Sequence, residues 1–151
     1  MDDFTTQPGK ANQFGLVQGE LNRIEPGKRP ASSMSPTIVM KDEKVLLITG
    51  SPGGSTIPTT VLQVILGVVD EGKDVATAVN NPRIHYQGYP NVVTSEPNAL
   101  SPEEVKQLTQ MGYKIVPLRQ WGVAESIAVN KDGSFVGGHD DRREAGSARG
   151  F

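Results

Sequence analysis

Three groups of residues in this chain have the types and spacing to do chemistry. Gly53 and Gly54 sit in the turn Gly50-Ser51-Pro52-Gly53-Gly54-Ser55, between an apolar run at 45–49 and a segment in which Ile57, Val61, Val64, Ile65 and Val68 recur at helical spacing. A strand that passes into a helix through paired glycines leaves backbone N–H groups without partners at the turn and the helix start. With the positive end of the helix dipole, these groups make a place for an anion or a developing oxyanion. Lacking a Cβ, the glycines let a ligand atom approach the backbone. Ser32 and Ser33 offer two hydroxyls to a carboxylate, and Asp2 or Asp3 offers a carboxylate to an ammonium. Taken singly, each has a plain reading: a turn, a pair of serines before a strand, a solvated acidic pair. Taken together, they suit an amino-acid-like ligand whose ammonium, carboxylate and reacting carbonyl are each met.

Other chemistries are excluded or unsupported. No Lys follows Gly54, so the turn is not a phosphate-binding Walker loop. Thr49 stands where a Gly-x-Ser-x-Gly elbow around Ser51 needs its first glycine. There are no cysteines, which removes disulfides, a thiolate nucleophile and thiolate metal sites, and leaves the compartment open. His85 and His139 belong to no metal-spaced pattern, and no Ser-His-Asp set is evident. No metal or cofactor is expected. A formal net charge of −2 argues against a nucleic-acid partner, and Lys28-Arg29 and Arg142-Arg143 read as solvated or carboxylate-paired. No apolar run is long enough to span a bilayer, and the acidic start is not that of a signal peptide.

These groups are positioned by a single domain of 151 residues. Residues 5–36 are rich in Gly, Pro, Asn, Gln and Ser and read as one long loop, a lid or binding loop, with Phe14, Leu16 and Val17 as apolar anchors. Residues 37–40 and 45–49, joined by the polar turn 41–44, read as a hairpin. Antiparallel pairing then brings Ser32 and Ser33 beside the glycine turn. A helix from Ile57 ends near Gly72. Asp74 caps a shorter one over 75–80, which Pro82 stops. A strand at 91–95, a helix begun by Ser101-Pro102-Glu103-Glu104 and ended at Gly112, and a strand at 114–118 follow. Residues 124–130 and 134–137 flank the hairpin signal Asp132-Gly133, and Trp121 reads as a packed aromatic near a loop. The mixture of hairpins and helices predicts an α+β fold, or a layered sheet with helices packed on it.

Met-Asp-Asp-Phe at 1–4, Lys-Arg-Pro-x-Ser-Ser-Met-Ser-Pro-Thr at 28–37, Gly-Ser-Pro-Gly-Gly-Ser at 50–55, Asn81-Pro82-Arg83 and the Gly-Phe end together resemble the γ-glutamyltranspeptidase (glutathione hydrolase) family. The resemblance is to the C-terminal portion of the small subunit and runs the whole length. It implies part of an N-terminal-nucleophile hydrolase αββα sandwich, incomplete because its first strands lie upstream. Residues 1–36 would be the lid and substrate-binding loops, 37–138 the sheet and helices, and 139–151 the tail. Family members cleave themselves into two subunits, and a new N-terminal Thr attacks the γ-glutamyl bond of substrates such as glutathione. A γ-glutamyl-enzyme forms and passes to water or an amino acid. By match, Asp3 resembles the residue that binds the α-amino group, Ser32 and Ser33 the α-carboxylate pair, and Gly53 and Gly54 the oxyanion hole.

Phe14 falls in the family's lid, where a Tyr is frequent. Asp140-Asp141-Arg142 stands where Asp-Pro-Arg is usual. The nucleophilic Thr would lie upstream of Met1, so the chain alone is expected to be catalytically silent, as a fragment or a truncated gene product. Its partners would be the large subunit and the remainder of the small subunit, in the periplasm or outside the cell if the source is bacterial. A related cephalosporin-acylase-like amide acylase, and a non-catalytic chain that only binds, are the alternatives.

Overall fold

The computed structural model describes residues 3–118 and 122–150. Asp2, Trp121 and Phe151 of the Gly-Phe end lie outside the described residues.

The elements form two sheets. The first has the order β1-β2-β6-β7, built from β1 (Thr37–Lys41), β2 (Lys44–Gly50), β6 (Glu125–Val129) and β7 (Phe135–Gly138), all antiparallel. The second has the order β3-β4-β5, from β3 (Ile84–His85), β4 (Val92–Ser95) and β5 (Lys114–Pro117). β4 and β5 are parallel, which requires a crossover, and α3 (Pro102–Gln110) supplies it. Two further helices, α1 (Ile57–Val69) and α2 (Val75–Asn80), follow the glycine turn.

Local signals set most boundaries. Asp74 caps α2 by accepting from Thr77 N, and Ser101 and Glu104 make a reciprocal capping box on α3. The hairpins at 37–50 and 125–138 form as expected. The separate second sheet, and the parallel pair within it, are additions to the single layered sheet that the patterning suggests.

The core lies between the first sheet and the α1–α2 pair. Leu47, Val64, Val75, Val79 and Ala124 are fully or almost fully enclosed, with Val39, Ile65, Val68 and Ala128 packed around them. Gly67 of α1 lets Ala78 of α2 approach, since a Cβ there would stand 3.1 Å from the Ala78 methyl. The sheet's other face is largely open among the described residues, with Ala148 of the tail lying against Gly137 at its β7 edge. Ile38, Ile48 and Ile127 are cross-strand partners in one row, and all three are exposed, as is Phe135.

A buried ionic knot fastens the tail to this framework. Arg83 Nη2 donates to Asp140 Oδ2 at 2.7 Å and to Val79 O at 2.6 Å. Arg142 reaches Glu96 through Nε at 2.8 Å and through Nη2, and Asp140 Oδ1 through Nη1 at 3.1 Å. Asp140 also accepts from Ala124 N at 2.7 Å, and Glu96 from Arg83 N at 2.8 Å. Burial would raise both carboxyls, but the backbone and guanidinium donors outweigh it and hold both below their ordinary values. Arg142 is thus carboxylate-paired rather than solvated. At 141, the residue that replaces a usual Pro uses what Pro lacks: Asp141 N donates to Asn80 Oδ1 at 2.9 Å.

Candidate functional site

Residues 5–36 fold as a packed loop. Thr5 N donates to Asn22 O at 2.8 Å, and Gly9 N to Gln18 O at 3.0 Å. At the loop's tip Asn12 Oδ1 accepts from Phe14 N at 2.9 Å and from Leu16 N at 3.0 Å, while Asn12 N donates to Leu16 O and Gly15 N to Asn12 O, each at 2.9 Å. Phe14 and Leu16 are half-buried, as anchors should be, but Val17 is exposed.

Asn22 brings the distant parts of the site together. Its Nδ2 donates to Asp3 O at 2.6 Å and to Gln18 Oε1 at 2.8 Å. Its Oδ1 accepts from Ala31 N at 2.8 Å, one residue before the serine pair. The backbones of Asp3 and of Ala31, next to Ser32, are therefore tied to one side chain. No sequence signal marked it, because an Asn in a polar loop looks like any other.

The serines meet the glycine turn as the hairpin geometry requires: Ser33 Oγ donates to Gly54 O at 2.8 Å. Ser32 Oγ accepts from Met34 N at 3.2 Å, which leaves its own hydrogen for another acceptor. Gly53 and Gly54 have φ of +142° and +58°, backbone that strains any residue with a side chain. Space is restricted as well. A Cβ on Gly54 would enter the ring of Phe14, and one on Gly53 would meet Thr56 Oγ1 and, at 3.3 Å, the backbone of Gly122. The tip of the loop therefore lies directly on the glycine turn.

Asp3, Asn12, Phe14, Ser32, Ser33, Ser55 and Gln87 are among the residues that line one hollow of about 320 Å³. Five predicted residues thus gather here: Asp3, Phe14, Ser32 and Ser33 in the lining, and Gly54 against Phe14 and Ser33. Gly53 is one residue removed and packs toward Gly122. The sequence reading missed Ser55, whose Oγ is enclosed with no hydrogen-bond partner among the described residues. An enclosed hydroxyl without an acceptor costs about 1–3 kcal/mol, so the hollow is unfinished in a polar sense. It also missed Ser51, which accepts from Val123 N at 3.0 Å and holds the Gly122 segment against the turn.

The arrangement sets a carboxylate and the Ser32 and Ser33 hydroxyls around a space near the lower size limit of small-molecule sites, with the glycine turn beside it. Among the described residues that line it, no hydroxyl is paired with a base.

Comparison with known proteins agrees with the sequence resemblance. The profile of the family described as Gamma-glutamyltranspeptidase matches residues 1–150. A glutathione hydrolase proenzyme of Escherichia coli is 48% identical over 142 residues, which are 94% of this chain and 24% of that protein. Another, from a Pseudomonas species, is 41% identical, over 100% of this chain and 28% of its own length. The chain thus spans roughly a quarter of the curated relatives it matches. The crystal structure of a Helicobacter pylori γ-glutamyltranspeptidase T380A mutant superposes with a TM-score of 0.89 at 46% identity, covering 95% of this chain and 78% of that one. A cephalosporin acylase of Bacillus halodurans is more distant, at 25% identity and a TM-score of 0.72.

Proposed function

The chain belongs to the γ-glutamyltranspeptidase family, and from that premise we propose that it supplies the γ-glutamyl-binding and oxyanion groups of an enzyme that cleaves γ-glutamyl amide bonds. Asp3 takes the substrate ammonium, and Ser32 and Ser33 take its α-carboxylate. The N–H groups of Gly53 and Gly54 face the γ-carbonyl as it becomes tetrahedral. The acyl group then passes from a γ-glutamyl-enzyme to water or to an amino acid. Glutathione is the expected substrate type. The attacking hydroxyl is assigned to none of the residues lining the hollow.

One observation carries this reading: Asp3 and the Ser32-Ser33 pair, far apart in sequence, line the same hollow, and its roof ring rests on Gly54. Ser33 donates to Gly54 O in the present state, so it must rotate about χ1 to donate to a carboxylate. Substrate binding would then free the Gly54 carbonyl and couple the serine pair to the oxyanion turn.

The largely open face of the first sheet fits one half of an αββα sandwich, with the opposing sheet contributed by the large subunit and the remainder of the small subunit. Residues 1–36 act as lid and binding loops, 37–138 as framework and 139–151 as a tail locked by the ionic knot.

Calorimetric titration of the 151-residue chain with L-glutamate tests the assignment. Binding should be present, and Asp3→Asn and the double variant Ser32→Ala/Ser33→Ala should each abolish it. Equal affinity in all three proteins would overturn it. The same chain should release no nitroaniline from a γ-glutamyl anilide.

A further inference from the structure

We propose that His85 and Gln87 are positioning residues that form a polar strut from helix α1 to the lid tip and hold Phe14 over the glycine turn. This rests on the reading of residues 5–36 as a lid or binding loop. Thr59, in the first turn of α1, has its Oγ1 2.8 Å from His85 Nδ1. His85 Nε2 is 3.0 Å from Gln87 Oε1. Gln87 Nε2 donates to Tyr89 O at 3.1 Å and to Phe14 O at 3.4 Å. Both amide hydrogens of Gln87 thus point at carbonyls, which turns its oxygen toward the imidazole. Nε2 of His85 must therefore carry a hydrogen, so the network assigns the tautomer. Thr59 Oγ1 lies 3.0 Å from Thr56 O as well as 2.8 Å from Nδ1, so its one hydrogen serves either end.

The base of the strut is rigid. His85 is 8% exposed. Its neighbour Ile84 is gripped on both backbone groups by Gln63, through Oε1 at 3.0 Å and Nε2 at 2.9 Å, one helical turn beyond Thr59. Thr94 Oγ1 donates to His85 O at 3.1 Å from β4. The far end is different. Between the lid tip and the second sheet lies a cavity of about 560 Å³ lined by Phe14, His85, Gln87, Val92, Pro117 and Leu118, among others. On that side the lid spans space, and the amide of Gln87 bridges it. The link to Phe14 O is the longest in the chain of contacts, so the strut is built to release there first.

Gln87→Glu separates this role from simple packing. The glutamate keeps the shape and still accepts from His85 Nε2, but it has no N–H for Phe14 O and sets an oxygen against that carbonyl. Amide exchange at Gly54, against which the Phe14 ring lies, should quicken in the full 151-residue chain about fivefold or more, the worth of the one hydrogen bond that holds the lid tip down. Exchange at Val64 and Val79 should stay unchanged, and L-glutamate should bind more weakly. Thr59→Val should act in the same direction, and Thr59→Ser, which keeps the hydroxyl, should not. Unchanged exchange at Gly54 in both Gln87→Glu and Thr59→Val would overturn the strut. A loosened lid with unaltered glutamate affinity would uphold the strut and overturn the lid's part in substrate binding. Absence of glutamate binding to the unaltered chain would count against the proposed function alone, since the exchange readout does not depend on it.

Discussion

Two places in this chain draw polar side chains away from water, and they are finished in opposite ways. Around Asp140, two guanidiniums and two carboxylates meet, with side-chain exposures of 0–9%. Val79 O, Asn81 O, Ala124 N and Arg83 N fill nearly all the remaining bonding positions. One N–H group, Arg83 Nη1, is enclosed without a partner among the described residues. Around the hollow, by contrast, Asp3 is exposed, Ser32 has a hydrogen to give, and Ser55 Oγ has no partner. Apart from Arg83 Nη1, the knot is satisfied within the chain and should serve stability. The hollow's open bonding positions suit the binding role proposed for it. Buried charge alone does not tell the two apart; the balance of donors and acceptors does.

The sharpest way to break this contrast is Asp140→Ala. It leaves Arg83 enclosed with one of its side chain's two partners gone and Arg142 with one of four gone, and should destabilise the chain by about 3–5 kcal/mol. Denaturant unfolding measures this; a loss below about 1 kcal/mol would mean that the knot is ornamental.

Acid should reach the same knot. Glu96 and Asp140 are held below their ordinary values of 4.5 and 3.8, so the unfolded chain binds more protons than the folded one at moderate acidity. Their stabilisation is complete above about pH 5 and is lost as pH falls through the ordinary range toward the folded values. Unfolding midpoints measured from pH 6 to pH 3 should therefore drop, and the drop should shrink in Glu96→Gln.

Gly54→Ala probes the hollow's roof. The added methyl meets the Phe14 ring and a backbone of positive φ, so it should cost about 1–2 kcal/mol and lift the lid tip. Adding Phe14→Ala should restore part of the stability but not the affinity for L-glutamate. No recovery would place the strain in the backbone alone.

The smallest effect on folding is expected from Ser32→Ala, under about 1 kcal/mol, together with a loss of glutamate affinity of about tenfold. The same substitution lowering stability and sparing affinity would reverse the assignment of hollow and knot.

What was legible in the sequence follows from how local each signal is. The Asp74 cap, the Ser101–Glu104 box and the Asp132-Gly133 turn act over four residues or fewer, and the structure places them as read. The neighbourhood of Ser33 and Gly54 followed from antiparallel pairing of two adjacent strands. The knot did not: Arg83 and Asp140 are 57 residues apart, and a charged residue in a loop has the same appearance whether it faces water or another charge. The second sheet escaped for the same reason, since β3 is two residues long and β4 finds its parallel partner only beyond α3. Of the site, the residues with distinctive chemistry were visible. Asn22, Ser51, Ser55 and Gln87 were not, because their types are common in loops.

The crossed bonds of Asn12 with Phe14 and Leu16 have one more consequence. They close on themselves within five residues, so the tip's shape owes little to what lies beneath it. Such a piece can swing away and return as a prefabricated cap, paying no entropy to refold on each visit. Admitting a guest and shutting it in would then be a matter of hinges at the ends of the segment, with the cap itself unchanged between open and closed.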